Sequence, residues 1–135
     1  TALFENCEIR SKTNSYVTAA STPEDIAVGY VFKNCKLTAN PGVDKVYLGR
    51  PWRPYAATVF INCEMGKHIR PEGWHNWGKE ENEKTARYAE YNSTGEGAAA
   101  AGRVKWAKQL TKKEAAQYDD LNYIYRMCSD WKPEN

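Results

Sequence analysis

The sequence has no run approaching the ~18 consecutive apolar residues that a membrane-crossing helix needs. It also lacks a dominant charge: 19 Lys plus Arg stand against 17 Asp plus Glu, for a formal net charge of +2. The first absence excludes a helical membrane span. The second excludes a basic nucleic-acid arm, an acidic tail and electrostatic docking on an anionic membrane. With only two histidines and no Cys-x-x-Cys spacing, there is no zinc-ligand pattern and no metal is expected. Phosphate loops and dinucleotide fingerprints are missing too, so no cofactor is expected. Neither a Met nor a basic-then-apolar leader precedes Thr1, and the chain opens on the apolar strand pattern Ala2-Leu3-Phe4. Such a strand is an unprotected sheet edge, which raises the expectation that something upstream has been removed. Aromatic residues, in contrast, are plentiful: five Trp, nine Tyr and 13% overall, ample for the core of one globular domain.

Self-similarity supplies the architecture. Ala2-Leu3-Phe4-Glu5-Asn6-Cys7-Glu8-Ile9 aligns with Tyr30-Val31-Phe32-Lys33-Asn34-Cys35-Lys36-Leu37 and with Thr58-Val59-Phe60-Ile61-Asn62-Cys63-Glu64-Met65. Phe4, Phe32 and Phe60 are each 28 residues apart, and the Asn-Cys pairs keep the same step. One more step reaches Tyr88 and Tyr91, so residues 86–91 read as a degenerate fourth copy. The unit is too short and too β-prone for a helical hairpin. Phe-x-Asn-Cys-x-Ile instead reads as two short strands meeting at a bend, with Asn in the left-handed region that it tolerates well. Ala2, Phe4, Cys7 and Ile9 then face inward, and Glu5 and Glu8 face out. Parallel stacking at about 4.8 Å predicts an all-β fold, a right-handed parallel β-helix of 28-residue coils. Phe, Asn and Cys form ladders, and Glu8 over Lys36 over Glu64 alternates sign as cross-strand pairing prefers.

Cys7, Cys35 and Cys63 fall on equivalent inward positions, where reduced thiols act as small buried hydrophobes and three in a stack cannot all pair. Cys128 stands apart. The excursions at residues 10–29, 38–47 and 66–85 are where a solenoid builds its binding face. Residues 1–93 are assigned to the coils and 94–135 to a tail of the same domain. This tail is expected along the outside or over the end of the coils, anchored by Trp106, Tyr123, Tyr125 and Trp131. Within it, Thr111-Lys112-Lys113-Glu114 has capping-box spacing and predicts a short helix through Tyr118. Three good coils and a degenerate one are near the minimum for a solenoid, so the isolated chain is expected to be marginally stable or to associate through its N-terminal face.

Most of the chemistry lies in Tyr47-Leu48-Gly49-Arg50-Pro51-Trp52-Arg53-Pro54-Tyr55, read as a loop entering the third copy. Gly49 and Pro51 fix the backbone on either side of Arg50, and Trp52 follows two residues on. A guanidinium grips a carboxylate with two prongs, and an indole stacks on the flat face of a sugar. A chain of uronic acids offers both features. On these residues alone a structural loop is equally open, with the Arg capping a carbonyl and the Trp filling the core. His68 and His75 have no partner at metal or triad spacing and read as structural or solvent-exposed. Residues 79–84 read as a solvated loop, and Asn92-Ser93-Thr94 is a formal glycosylation sequon, meaningful only in a eukaryotic secretory host.

Leu48-Gly49-Arg50-Pro51-Trp52 resembles the signature of the pectin methylesterases, a family of right-handed parallel β-helices. Further segments resemble the family in its own order: Tyr16-Val17-Thr18-Ala19, the Phe-x-Asn-Cys coils, Ile69-Arg70-Pro71-Glu72-Gly73-Trp74-His75-Asn76-Trp77, the stretch from Ala89 to Ala98, and Gly102-Arg103-Val104-Lys105-Trp106. Together they cover roughly residues 1–125. The resemblance implies hydrolysis of methyl esters in methyl-esterified homogalacturonan (pectin). One Asp attacks the ester carbonyl, while a second protonates departing methanol and then activates water. One carboxylate must start ionised and the other protonated. Arg50 then takes the catalytic arginine role, holding nucleophile and substrate. Trp52 stacks on sugar, Trp77 lines the cleft from the Gly-Trp-x-x-Trp loop, and Tyr55 lines a subsite. The substrate implies a secreted, periplasmic or cell-surface protein.

The departure concerns the carboxylates. Asp25, Asp44, Asp119, Asp120 and Asp130 stand in no family catalytic motif, and the family's nucleophile sits in an Asp-Phe-Ile-Phe-Gly segment just before the strand that here begins at Ala2. The expectation is therefore the C-terminal part of a pectin methylesterase β-helix, inactive alone and completed by a missing N-terminal part of the same protein. Two readings compete with it: a non-catalytic polyuronate-binding β-helix that retains Arg50 and Trp52, and a purely structural solenoid in which Arg50→Ala leaves carbohydrate affinity unchanged.

Overall fold

A computed structural model describes residues 1–127; Cys128, Asp130 and Trp131 lie outside the described residues. The strands are β1 (Ala2–Glu5), β2 (Glu8–Ser11), β3 (Tyr16–Ala20), β4 (Tyr30–Lys33), β5 (Lys36–Ala39), β6 (Tyr47–Pro51), β7 (Ala57–Ile61), β8 (Glu64–Met65), β9 (Arg87–Tyr91) and β10 (Lys108–Gln109). They form three sheets in the orders β1-β4-β7-β9-β10, β2-β5-β8 and β3-β6, and the paired strands run parallel throughout. Successive coils thus add a strand to each sheet in turn, which makes a parallel β-helix.

The sequence ladders account for the coil. Asn6, Asn34 and Asn62 bend the chain between the first two sheets at φ of 57°, 55° and 52°, a region that costs Asn less than other side-chain-bearing residues. Inside, Phe4, Phe32 and Phe60 stack with centroids 4.8 and 4.5 Å apart. Cys35 Sγ donates to the carbonyl of Phe4 and Cys63 Sγ to that of Phe32, each on the preceding coil. Burial pushes the Cys63 thiol up to about 12 and raises Cys35 as well, and the three described cysteines are free. Outside, Lys36 pairs with Glu64 at 3.6 Å, whereas Glu8 accepts from Thr38 Oγ1 at 3.0 Å.

The fourth coil departs from the 28-residue step. Tyr88 lies opposite Thr58, Glu90 opposite Phe60 and Tyr91 opposite Ile61. Two extra residues in the preceding excursion shift the register, so Tyr91 is not on the cysteine ladder. Asn92 continues the Asn ladder at φ 51°, its Nδ2 donating to Asn62 Oδ1 at 3.0 Å, and Ser93 Oγ accepts from the Cys63 amide. Trp74 stacks on Tyr88 at 4.4 Å and Trp106 tilts against Tyr88, closing that end of the inner core.

The tail covers the first sheet from outside. Thr111 and Glu114 exchange both capping-box hydrogen bonds at the start of α1 (Lys112–Ala116). The predicted helix ends at Ala116 rather than Tyr118 because the chain tightens into a 3-10 turn over Gln117–Asp119, followed by α2 (Leu121–Ile124). Ala115 and Ile124 bury Val31, Val59, Ile61 and Ala89, with Tyr118, Tyr123 and Tyr125 half-buried around them. The residues between the inward positions therefore face a second apolar layer instead of water. Lys33 lies beneath it, its Nζ donating to the Tyr118 carbonyl and to Asp119, both at 3.0 Å.

Candidate functional site

The segment read as a loop is a strand. β6 lies in register on β3, with Tyr16 opposite Tyr47, Thr18 opposite Gly49, Ala19 opposite Arg50 and Ala20 opposite Pro51. Gly49 is required by space: a Cβ there would lie 2.2 Å from Thr18 Oγ1 and 3.2 Å from Trp74 Cζ3. Thr18 Oγ1 in turn donates to the Leu48 carbonyl at 2.9 Å. Pro51 closes the strand, where a missing amide is tolerated, and the Trp52 amide donates to Ala20 at 3.0 Å. The buried Asn82 carboxamide donates to the Pro51 carbonyl, tying the 66–85 excursion to the end of β6.

On this strand Arg50 is held by rings. Its guanidinium carbon lies 3.9 Å from the Trp77 ring centroid and 4.8 Å from that of Tyr16. Trp77 sits at φ 53°, a strained conformation for an aromatic residue. The turn around it is fixed by Asn76, whose Oδ1 accepts from the Gly78 amide at 2.9 Å and whose carbonyl accepts from the Lys79 amide at 3.0 Å. Arg50 Nε is buried without a hydrogen-bond partner, and Arg50 forms no ion pair among the described residues. A guanidinium gripped through its π faces keeps its N–H edges available for a two-pronged anion contact.

Tyr16 belongs to a stack that continues along the sheet. Its ring lies 5.4 Å from that of Tyr47, and His75 stacks on Tyr47 at 4.8 Å. The Tyr16 hydroxyl meets His75 Nδ1 at 2.8 Å, and Arg70 lies 5.1 Å over the Tyr47 ring. Burial raises the pKa of Tyr16, against a smaller lowering by Arg50, so the phenol keeps its proton and can donate to the imidazole.

The site residues expected from the sequence are placed unequally. Arg50 and Trp77 meet. Trp52, at the end of β6, is 53% exposed and makes no ring contact among the described residues, and Trp77 is 50% exposed; both indoles thus offer apolar surface to solvent. Tyr55 stands apart from the Arg50 contacts at φ 68°. Its amide donates to Thr85 Oγ1, its carbonyl accepts from Arg87 Nε, and the Glu24 carboxylate nearby raises its phenol pKa. Sequence reasoning missed Tyr16 as a neighbour of Arg50. The available signal was the Tyr that opens both Tyr16-Val17-Thr18-Ala19 and Tyr47-Leu48-Gly49-Arg50. Asp119 bonds Lys33 and Asp120 caps α2 through the Asn122 amide, while Asp25 and Asp44 are exposed. No group of three His, Cys, Asp or Glu among the described residues could hold a metal ion.

A parallel β-helix presenting an arginine between aromatic side chains defines the class: a β-helical protein with an aromatic-framed cation on its third sheet. Comparison with known proteins identifies the family. The pectinesterase family model matches residues 1–127, and the chain belongs to that family. It is 40% identical over 125 residues to Pectinesterase 31 of Arabidopsis thaliana, covering 92% of this chain and 39% of that protein. Pectinesterase QRT1 of the same plant is 35% identical over 127 residues, covering 92% and 33%. Among solved structures, the pectin methylesterase from carrot superposes with a TM-score of 0.82 at 28% identity, covering 98% of this chain and 47% of that one. A pectin methylesterase in complex with hexasaccharide VII gives 0.75 at 28% identity, covering 98% and 46%. The chain thus spans less than half the length of these relatives.

Proposed function

We propose that this chain is the C-terminal part of a pectin methylesterase β-helix, supplying the Arg/Trp side of a cleft that hydrolyses methyl esters of polygalacturonate to methanol and free carboxylates. The catalytic carboxylates come from sequence outside these 135 residues, and the chain alone is inactive. Arg50 is the cation that orients the nucleophilic carboxylate and the substrate, Trp52 and Trp77 offer apolar faces to sugar rings, and Tyr55 lines an outer subsite. Residues 1–93 serve as coils and 94–135 as the tail that covers them. Because pectin is extracellular, the protein acts in a secreted, periplasmic or cell-surface location.

The observation that supports this reading is Arg50 itself. A guanidinium gripped by Trp77 at 3.9 Å and Tyr16 at 4.8 Å, with no ion pair among the described residues, is a cation preorganised by its aromatic neighbours. Orienting the groups before reaction is where such a residue lowers the barrier. Titration of the 135-residue chain with a partly methylated hexagalacturonate tests the binding half of the proposal. Arg50→Ala is expected to weaken binding about tenfold or more. Equal affinity in both proteins contradicts it and favours a purely structural solenoid.

A further inference from the structure

We propose that Tyr16 is a positioning residue for Arg50, and that its hydrogen bond to His75 keeps the two aromatic partners of the guanidinium in one arrangement. The inference deepens the functional reading above and rests on it for its role in substrate recognition.

Arg50 makes no side-chain hydrogen bond or ion pair among the described residues. Its orientation must come from packing, and the contacts that can set it are the rings of Trp77 and Tyr16. These two partners differ in kind. Trp77 is half exposed on a strained turn residue, so it is the yielding partner. Tyr16 sits in β3, opposite Tyr47 in register, is half-buried and stacks on Tyr47 at 5.4 Å. It is the rigid one.

The hydroxyl adds a second constraint. Tyr16 OH meets His75 Nδ1 at 2.8 Å, while the His75 amide donates to the Gly49 carbonyl at 3.1 Å, next to Arg50. His75 also precedes Trp77 by two residues on the same turn. One hydrogen bond therefore ties the β3 ring to the segment carrying the other ring, with Arg50 touching both. The contact holds the Tyr16 hydroxyl and His75 Nδ1 within hydrogen-bond distance, which orients the imidazole relative to the phenol ring. Loss of the hydroxyl loosens this link, and loss of the ring leaves the guanidinium with Trp77 alone.

The test uses the 135-residue chain, labelled with nitrogen-15, as wild type, Tyr16→Phe, Tyr16→Leu and Arg50→Ala. Two quantities are followed: the Arg50 Nε–H resonance, and affinity for a partly methylated hexagalacturonate. Tyr16→Leu is expected to move the Arg50 resonance to its solvent-exposed position and weaken binding about tenfold. Tyr16→Phe should broaden that resonance and weaken binding about threefold. An Arg50 resonance that stays at its wild-type position and width in both Tyr16 variants overturns the proposal. If Tyr16→Leu does not fold, Tyr16→Phe decides by the same criterion. Wild-type affinity in Arg50→Ala removes the functional reading instead, and the Arg50 resonance then still decides whether Tyr16 positions the guanidinium.

Discussion

Glu90 occupies in the fourth coil the place that Phe60 holds in the third, directly opposite it in the register of β7 and β9. The aromatic ladder ends there, and a buried ion pair replaces it. Glu90 Oε2 accepts from Arg103 Nε at 2.8 Å and from Trp74 Nε1 at 3.3 Å, while Oε1 accepts from Arg103 Nη2 at 3.1 Å. Arg103 also donates to the carbonyls of Gly97 and Pro71. The end of the core is thus sealed by polar groups that satisfy one another, which holds the Trp74–Trp77 turn against β6.

Breaking this pair on one side should be severe, because the two side chains are only 4% and 3% exposed. Arg103→Ala is expected to lower unfolding free energy by about 3–5 kcal/mol, since it strands a buried carboxylate. Glu90→Phe, which restores the ladder residue, should also destabilise, because it leaves Arg103 unpaired. Urea denaturation of each variant measures both effects.

Gly49→Ala tests the closeness of β3 and β6. The new Cβ meets Thr18 Oγ1 at 2.2 Å, and overpacking of this kind costs about 1–3 kcal/mol. Adding Thr18→Ala removes the obstructing atom and should recover part of the loss, visible as coupling in a double-mutant cycle of urea midpoints.

His68 should make the fold sensitive to mild acid. It is buried, its Nε2 has no partner, and burial lowers its pKa below the ordinary 6.5. Well above pH 6.5 neither folded nor unfolded chain holds this proton, and stability is at its full value. Below it the unfolded chain takes up the proton first, so stability falls as pH drops through the lowered folded value. His68→Gln is expected to show a smaller fall between pH 7.5 and pH 5.5, measured by urea midpoints of both proteins at the two pH values.

Cys63, raised to about 12 by burial, remains a thiol at pH 8. Iodoacetamide is therefore expected to leave Cys63 unmodified in the native protein and to alkylate it after unfolding in urea, as read by peptide mass spectrometry.

The sequence disclosed the coils because their determinants repeat locally. An inward Phe, a bending Asn and a small inward Cys recur at one step, and stacking identical residues needs no other information. It failed at the fourth coil because a register set by pairing counts residues in space: two extra residues in an excursion move Tyr88 opposite Thr58, and no local pattern marks the change. The outer apolar layer was equally hidden. Leu3, Val31 and Val59 stand at the outward positions beside the inward Phe residues, and only the docking of α1 and α2 gives them a second core. At the site, Gly49, Arg50 and Trp77 stood out by residue type. The Tyr16 contact did not, because it depends on the pairing of β3 with β6, whose two segments share little beyond an opening Tyr.

The central claim is that Arg50 serves methyl-ester hydrolysis carried out by catalytic carboxylates supplied from outside these residues. Its most direct test is methanol release from highly methylated pectin by a chimera in which residues 1–127 replace the matching segment of Pectinesterase 31, with and without Arg50→Ala. The account predicts methanol from the chimera, none from the 135-residue chain alone, and a loss of about a hundredfold or more with Arg50→Ala. Methanol release that survives Arg50→Ala contradicts it.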